Sequence, residues 1–82
     1  MKCIINWTEL SMESGGKFIQ QAQPITDEEY SKLISYSSEQ LNAFIREKFQ
    51  GNPMCQISPT IQDYKTEEKR AAFLSNFPIE IE

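Results

Sequence analysis

The sequence predicts an α+β fold: a small three- or four-stranded sheet packed on one long helix and one short helix, in the order β-β-α-β-α with a possible final strand. Three observations predict it. The chain opens with two segments whose side chains alternate between two faces, as in strands. An apolar stripe at helical spacing runs through the middle. A third alternating segment and a short capped helix follow. With 82 residues, the chain is predicted to be one small domain spanning 1–82.

The two N-terminal segments predict a β-hairpin, because β-forming residues alternate between two faces in both. Residues 2–10 and 17–23 are its predicted strands. Residues 11–16 are its predicted turn, in which Ser14, Gly15 and Gly16 are able to take positive φ. The turn is too long to fix the register. If the register places Trp7 and Phe18 on opposite sides, a sheet face without helices carries an aromatic residue.

The stretch from Thr26 to Phe49 predicts the main helix. At 100° per residue, its apolar positions cluster within about 60° of each other. The predicted buried stripe is Tyr30, Leu33, Ile34, Ser37, Leu41, Phe44 and Ile45; the predicted solvent side is Glu28, Lys32, Ser35, Glu39, Asn42, Arg46 and Gln50. Thr26 with Glu29 forms a capping box, and Gly51 provides a left-handed stop. Ser37 with Gln40 could form a second capping box, which would divide the stretch into two helices. However, the apolar positions before and after Ser37 point in the same direction. We therefore predict one continuous or slightly kinked helix.

The last third predicts a third strand, a short helix and a possible fourth strand. Residues 54–63 alternate, and Pro59 places that strand at a sheet edge or bends it. Thr66 begins the short helix, and Pro78 ends it. The anchors of this helix are Phe73, Leu74 and Phe77. Residues 79–82 alternate again, so they either pair with a sheet edge or fray.

The side chains available predict no enzyme, no cofactor and no metal site. The chain has no histidine, which removes the commonest general base and transition-metal ligand. Cys3 and Cys55 are predicted to be small core residues if both face inward. The sequence Gly15-Gly16-Lys17 lacks the remaining residues of a phosphate-binding loop. Residues 27–29 are acidic, but consecutive helix positions point in different directions, so capping explains them better than a bound cation.

The charge balance excludes some classes of partner. Eight basic and twelve acidic residues give a net charge of −4, and the basic residues are dispersed, which argues against direct nucleic-acid binding. No segment approaches the ~20 apolar residues of a membrane span, and no signal peptide is visible. We expect a cytoplasmic protein, in the producing or host cell. The abundance of Ile, Asn, Gln, Lys and Ser is typical of an AT-rich bacterial or phage genome.

Small size, acidity and the lack of catalytic groups lead to the functional hypothesis. We expect a non-enzymatic protein-binding module, of the kind that phages and mobile elements use as inhibitors, which occludes a basic protein partner. The alternative is a small-molecule or nucleotide binder at a homodimer interface. The interface candidates are exposed aromatic and acidic residues: Trp7, Phe18, Tyr36, Asp27, Glu28, Glu29, Glu67 and Glu68. For Trp7, burial in the core is the competing interpretation.

Overall fold

The structure, a computed structural model, describes residues 1–12 and 15–81. Its elements are β1 (Cys3–Ser11), β2 (Lys17–Ile25), α1 (Asp27–Leu33), α2 (Ser38–Phe49), β3 (Thr60–Asp63), α3 (Glu67–Leu74) and β4 (Ile79–Ile81). The predicted α+β class is confirmed, with four antiparallel strands and one helix more than predicted.

The sheet has the strand order β3-β1-β2-β4. Strands β1 and β2 form the predicted hairpin, with Trp7 opposite Gln21 and Leu10 opposite Phe18. Since side chains alternate along a strand, Trp7 and Phe18 lie on opposite faces. Gly15 and Gly16 have φ of 75° and 82° in the turn, as predicted; Ser14 lies outside the described residues. Residues 79–81 pair with β2, so the terminal strand is present, while Glu82 lies beyond the described part.

The prediction of one continuous helix over residues 26–49 is wrong. The helix stops at Leu33, where Tyr36 N–H donates to Leu33 O at 3.1 Å and closes a tight last turn. Ser37 is extended and forms a full capping box with Gln40, which begins α2. A side-chain cap contributes about 1 kcal/mol, and it satisfies N–H groups that would otherwise lack a partner. Ile34, predicted in the stripe, is 60% exposed because the break releases it from the core.

Asn42 corrects the predicted solvent side of the helix, since it is only 4% exposed. Ser38 lies one turn earlier on α2, and its Oγ is 2.8 Å from Ser58 Oγ. The connection between α2 and β3 therefore returns over this flank of α2 and covers Asn42. The same connection shortens the predicted third strand from 54–63 to Thr60–Asp63, because Met54 N–H bonds to Thr8 O instead of extending the β1–β3 ladder. Strand β3 lies at a sheet edge, directly after the buried Pro59.

The main core lies between one sheet face and helices α1 and α2. It consists of Cys3, Ile5, Trp7, Ile25, Leu33, Leu41 and Ile45, with partly buried Tyr30, Phe44, Phe49 and Ile61 packed against it. Cys3 belongs to this core, and burial raises the pKa of its thiol. Cys55 is exposed, so the condition that both cysteines face inward is not met, and only Cys3 is a core residue. Among residues 1–12 and 15–81, no helix is long and apolar enough to cross a membrane.

Helix α3 begins at Thr66, as predicted, and connects the two edges of the sheet. It follows edge strand β3, packs against β2, and precedes edge strand β4. Two of its predicted anchors contact each other: the Phe73 and Phe77 rings lie tilted at 4.9 Å between centroids, and Tyr64 stacks on Phe73 at 4.7 Å. Since α1 and α2 occupy the face of Cys3 and Ile5, α3 crosses the opposite face.

Gly51 does not act as the predicted left-handed stop; Gln50 does, with φ of 55°. Gly51 is required for space, because a Cβ there would lie 2.7 Å from Ile45 Cγ2 and 3.0 Å from Trp7 Cζ2. We expect Gly51→Ala to lower the free energy of unfolding by about 1–3 kcal/mol through overpacking. Gln50→Gly, which removes a strained φ, should leave stability unchanged or raise it. Urea unfolding of both variants checks this, and the reverse order of stabilities would contradict it.

Candidate functional site

The two sheet faces differ in charge. Each described strand carries one charged residue: Glu9, Lys17, Asp63 and Glu80. The strand register places all four on the face that also carries Trp7 and packs on α1 and α2. All four have local partners: Trp7 Nε1 donates to Glu9 at 2.7 Å, Lys17 pairs with Glu80 at 3.7 Å, and the backbone N–H groups of Lys2 and Lys65 donate to Asp63 at 3.0 and 2.8 Å. The charges of the strands are therefore confined to one side of the sheet.

The opposite side, named here the uncharged face, contains no charged residue within the described strands. It consists of the even-numbered residues of β1 and β2 together with Thr60, Gln62, Ile79 and Ile81. Its two ends differ. At one end Ile4 is fully buried and Ala22 is 7% exposed, which is where α3 crosses. At the other end no described element covers the sheet.

Four large apolar side chains lie at this uncovered end and form the apolar patch: Leu10, Phe18, Ile79 and Ile81. They adjoin because Leu10 pairs with Phe18, and Phe18 pairs with Ile81, across three neighbouring strands. Each is between 36% and 44% exposed. Solvated faces of antiparallel sheets normally carry polar residues. An apolar patch in such a position is typical of a binding surface.

A hollow of about 200 Å³ lies beside the apolar patch. Its walls come from β1, β2, β3 and the connection before β3, and include Thr8, Gln20, Ile57 and Gln62. None of its lining residues is charged. Gln20 lies next to Phe18 on the same face and separates the hollow from the patch. The uncharged face thus combines a protruding apolar part with a neutral recess.

The predicted acidic candidates lie elsewhere, at the starts of α1 and α3. Asp27, Glu28 and Glu29 line one groove, and three of the five acidic candidates pair with cations. Asp27 is 3.7 Å from the Met1 ammonium, Glu67 is 2.6 Å from Arg70 Nη2 and 3.8 Å from Lys2 Nζ, and Glu29 pairs with Lys48. In the part of the chain that the structure describes, Glu28 and Glu68 have no ion pair. Most of the predicted acidic surface is therefore neutralised locally.

The groove between these elements measures about 670 Å³ and is the place that a small-molecule or nucleotide site would use. The cations that line it are the Met1 ammonium, Lys2, Lys48 and Arg70, and each already has a carboxylate partner. Arg70 also donates to the backbone carbonyls of Cys3 and Ile25, at 3.3 and 3.4 Å. A phosphate would have to displace a carboxylate at every one of these groups, so the geometry favours a structural role for the groove.

Glu29 makes the stability of this region dependent on pH. Burial alone would raise the pKa of its carboxyl, but hydrogen bonds from Lys48 Nζ and the Thr26 N–H outweigh burial and hold the pKa below its ordinary 4.5. A carboxyl with a lowered folded-state pKa stabilises the fold above its unfolded-state pKa, and this stabilisation is lost as pH falls through the folded-state pKa. Glu29→Gln should therefore destabilise the protein at pH 7. The difference from wild type should begin to shrink as the pH falls past the ordinary pKa of 4.5 and vanish below the lowered folded-state pKa.

Urea unfolding of both proteins between pH 7 and pH 3 checks this expectation. Glu28→Gln is the matched control, because the neighbouring Glu28 is exposed and has no ion pair in the described part. An equal loss of stability for the two variants at pH 7 would contradict the account of Glu29.

The remaining candidates lie apart from each other. Trp7 is 3% exposed and belongs to the core, so it offers no surface to a partner. Tyr36 is 37% exposed beside a small groove on α2 with Phe44, on the helical side of the molecule. Only Phe18 lies on the uncharged face. The sequence analysis missed Leu10, Gln20, Ile79 and Ile81 as site residues. The charged residues of all four strands share one face, but this pattern appears only once the register is known.

No family model, no curated protein and no solved structure matches the chain.

Proposed function

We propose that the protein is a non-enzymatic protein-binding module that acts through the uncharged face. The observation that carries this proposal is the apolar patch beside a neutral hollow on an uncovered end of the sheet. Interface centres are depleted of charge and enriched in large apolar and aromatic residues. Phe18 is the expected anchor, since it is the most exposed of the four patch residues and lies between Leu10 and Ile81.

The size of the patch supports a central position in a larger interface. Taking about 200 Å² for one large side chain, its four residues expose on the order of 300 Å². A standard interface buries about 800 Å² per partner. The patch supplies the apolar centre, and the neutral polar rows of the same face supply a rim whose amide and hydroxyl groups exchange hydrogen bonds with a partner or with water.

An inhibitor that occludes a basic partner would use charge as well. Glu28 and Glu68 are the candidates for that contribution, because the other acidic candidates are already paired. We expect the apolar patch to dominate, so affinity should not fall as salt rises. A strong loss of affinity at high salt would instead assign recognition to the acidic residues.

Partner capture from the source cell with three forms of the protein tests the proposal. Wild type and Ile34→Glu should retain the same partner, and Phe18→Glu should lose it. Ile34 is the matched control, being an exposed apolar residue on the helical side. Thermal unfolding must show that both variants fold. If Phe18→Glu retains the partner as well as wild type does, the uncharged face is not the binding surface. If the partner is lost only from a further variant, Glu28→Lys with Glu68→Lys, the acidic residues bind it.

A further inference from the structure

We infer that the partner on the uncharged face is a second copy of this chain, in a two-fold dimer with the sheets packed face to face. This inference rests on the proposed function, because it names the occupant of the same face. Three properties of the face support a copy as occupant: its charge, its hydrogen-bonding groups and its shape.

Charge limits where two copies can meet. The chain carries −4, so two copies repel each other wherever their charged surfaces approach within the screening distance of about 8 Å. The uncharged face carries none of the strand charges, since Glu9, Lys17, Asp63 and Glu80 point to the other side. It is therefore the part of the sheet against which a copy can pack without opposing like charges.

The polar groups of the face are complementary to themselves. Gln20, Gln62 and Asn6 carry amides, and Thr60 carries a hydroxyl, whereas Thr8 on the same face is buried. Each such group both donates and accepts hydrogen bonds, so the same group on a copy can satisfy it. Carboxylates or ammonium groups cannot pair with themselves in this way. A two-fold interface places one surface against itself and requires this property.

The shape of the face also fits a two-fold contact. Phe18 is 44% exposed, and Gln20, its neighbour on the same face, lines the hollow of about 200 Å³. In a two-fold interface, residue i contacts residue j of the copy while j contacts i. An axis near Gln20 places the Phe18 ring of each copy over the hollow of the other. The second sheet also supplies the layer that the uncovered end of this sheet lacks.

Sedimentation velocity on the full chain from about 5 µM to about 1 mM tests the inference. Because the exposed apolar patch is small, we expect weak association that becomes visible within this concentration range. Association should strengthen as salt rises from about 20 to about 500 mM, because salt screens the repulsion between two chains of −4. A basic heterologous partner would show the opposite salt dependence.

Gln20→Glu and Gln21→Glu provide a matched pair of variants. The two glutamines are adjacent and point to opposite faces, so each variant adds the same charge at nearly the same place in the chain. Gln20→Glu should weaken dimerisation at least tenfold, and Gln21→Glu should leave it within about twofold. Thermal unfolding at low concentration checks that both fold. Amide chemical shifts of wild type should move with concentration at residues 8–10, 18–20 and 79–81.

A wild-type protein that stays monomeric to 1 mM would overturn the inference. So would a dimer whose shift changes map to α2, or one that Gln20→Glu and Gln21→Glu weaken equally. If wild type is monomeric but Phe18→Glu still abolishes capture of a cellular partner, the second copy is wrong and the proposed function stands. If the protein is monomeric and neither Phe18→Glu nor Gln20→Glu changes its association with any protein, both the second copy and the proposed function are wrong.

Discussion

Leu41→Asp is expected to abolish the folded state. Leu41 is 7% exposed and packs in the core with Ile45 and Trp7, so the substitution would place a carboxylate in an apolar interior without a partner. Burying a charge in that way costs several kcal/mol. An 82-residue protein has a total stability of only about 4–12 kcal/mol, at about 0.05–0.15 kcal/mol per residue. Far-UV circular dichroism against urea should show no cooperative transition.

Glu39→Ala is the control for that experiment. Glu39 lies two residues earlier in the first turn of α2 and is exposed. Its loss removes only a favourable interaction with the helix N-terminus, so we expect less than about 1 kcal/mol. Similar losses for Leu41→Asp and Glu39→Ala would show that the assigned face of α2 is wrong.

Trp7→Ala is expected to have the second largest effect, about 3–5 kcal/mol. Trp7 is 3% exposed, its ring stacks on Phe49 at 5.8 Å between centroids, and its Nε1 donates to Glu9 Oε1 at 2.7 Å. The substitution removes all of these contacts and leaves a cavity. Circular dichroism should be used to measure the unfolding of this variant, because Trp7 is the one tryptophan in the chain and its removal abolishes the tryptophan fluorescence.

Trp7→Phe separates packing from hydrogen bonding at the same position. It keeps an aromatic ring against Phe49 and removes the Nε1 donor, so we expect a smaller loss, of about 1–2 kcal/mol. If Trp7→Ala cost less than about 1 kcal/mol, Trp7 would not be a core residue. It would then return to the set of surface candidates.

Local patterns predicted the hairpin and the helix starts well. Alternation identified the two strands of the hairpin, and the capping residues Thr26 and Thr66 mark the beginnings of α1 and α3. These features depend on neighbours within a few residues, which is what a sequence pattern records. The register was not predictable from them, because it depends on how the turn at residues 11–16 closes.

The errors arose where distant segments decide burial. The periodicity could not show that the connection after α2 folds back over Asn42, or that the Ser37 cap frees Ile34. Leu33 and Leu41 share a phase because both helices pack on the same sheet face, and the continuous phase was therefore compatible with two helices. A hydrophobic pattern identifies buried faces more securely than it identifies breaks.

The candidate site was only partly predictable for the same reason. Phe18 was named from its alternation, but the apolar patch exists because β4 pairs with β2, about sixty residues away in the chain. The acidic candidates were chosen for their charge, and their neutralisation by Lys2, Lys48 and Arg70 depends on the folded arrangement. Charge counted along a sequence does not reveal which carboxylates are paired.

Photochemical carbene footprinting at residue resolution tests most directly whether the uncharged face binds protein. The protein is labelled dilute and pure, and again at high concentration and in lysate of the source cell. Leu10, Phe18 and Ile81 should label readily in the dilute sample and be protected in one or both of the others, while Ile34 and Tyr36 label equally in all. Unchanged labelling of the apolar patch, with protection at Ile34 and Tyr36, would contradict the account and place the interface on the helical side.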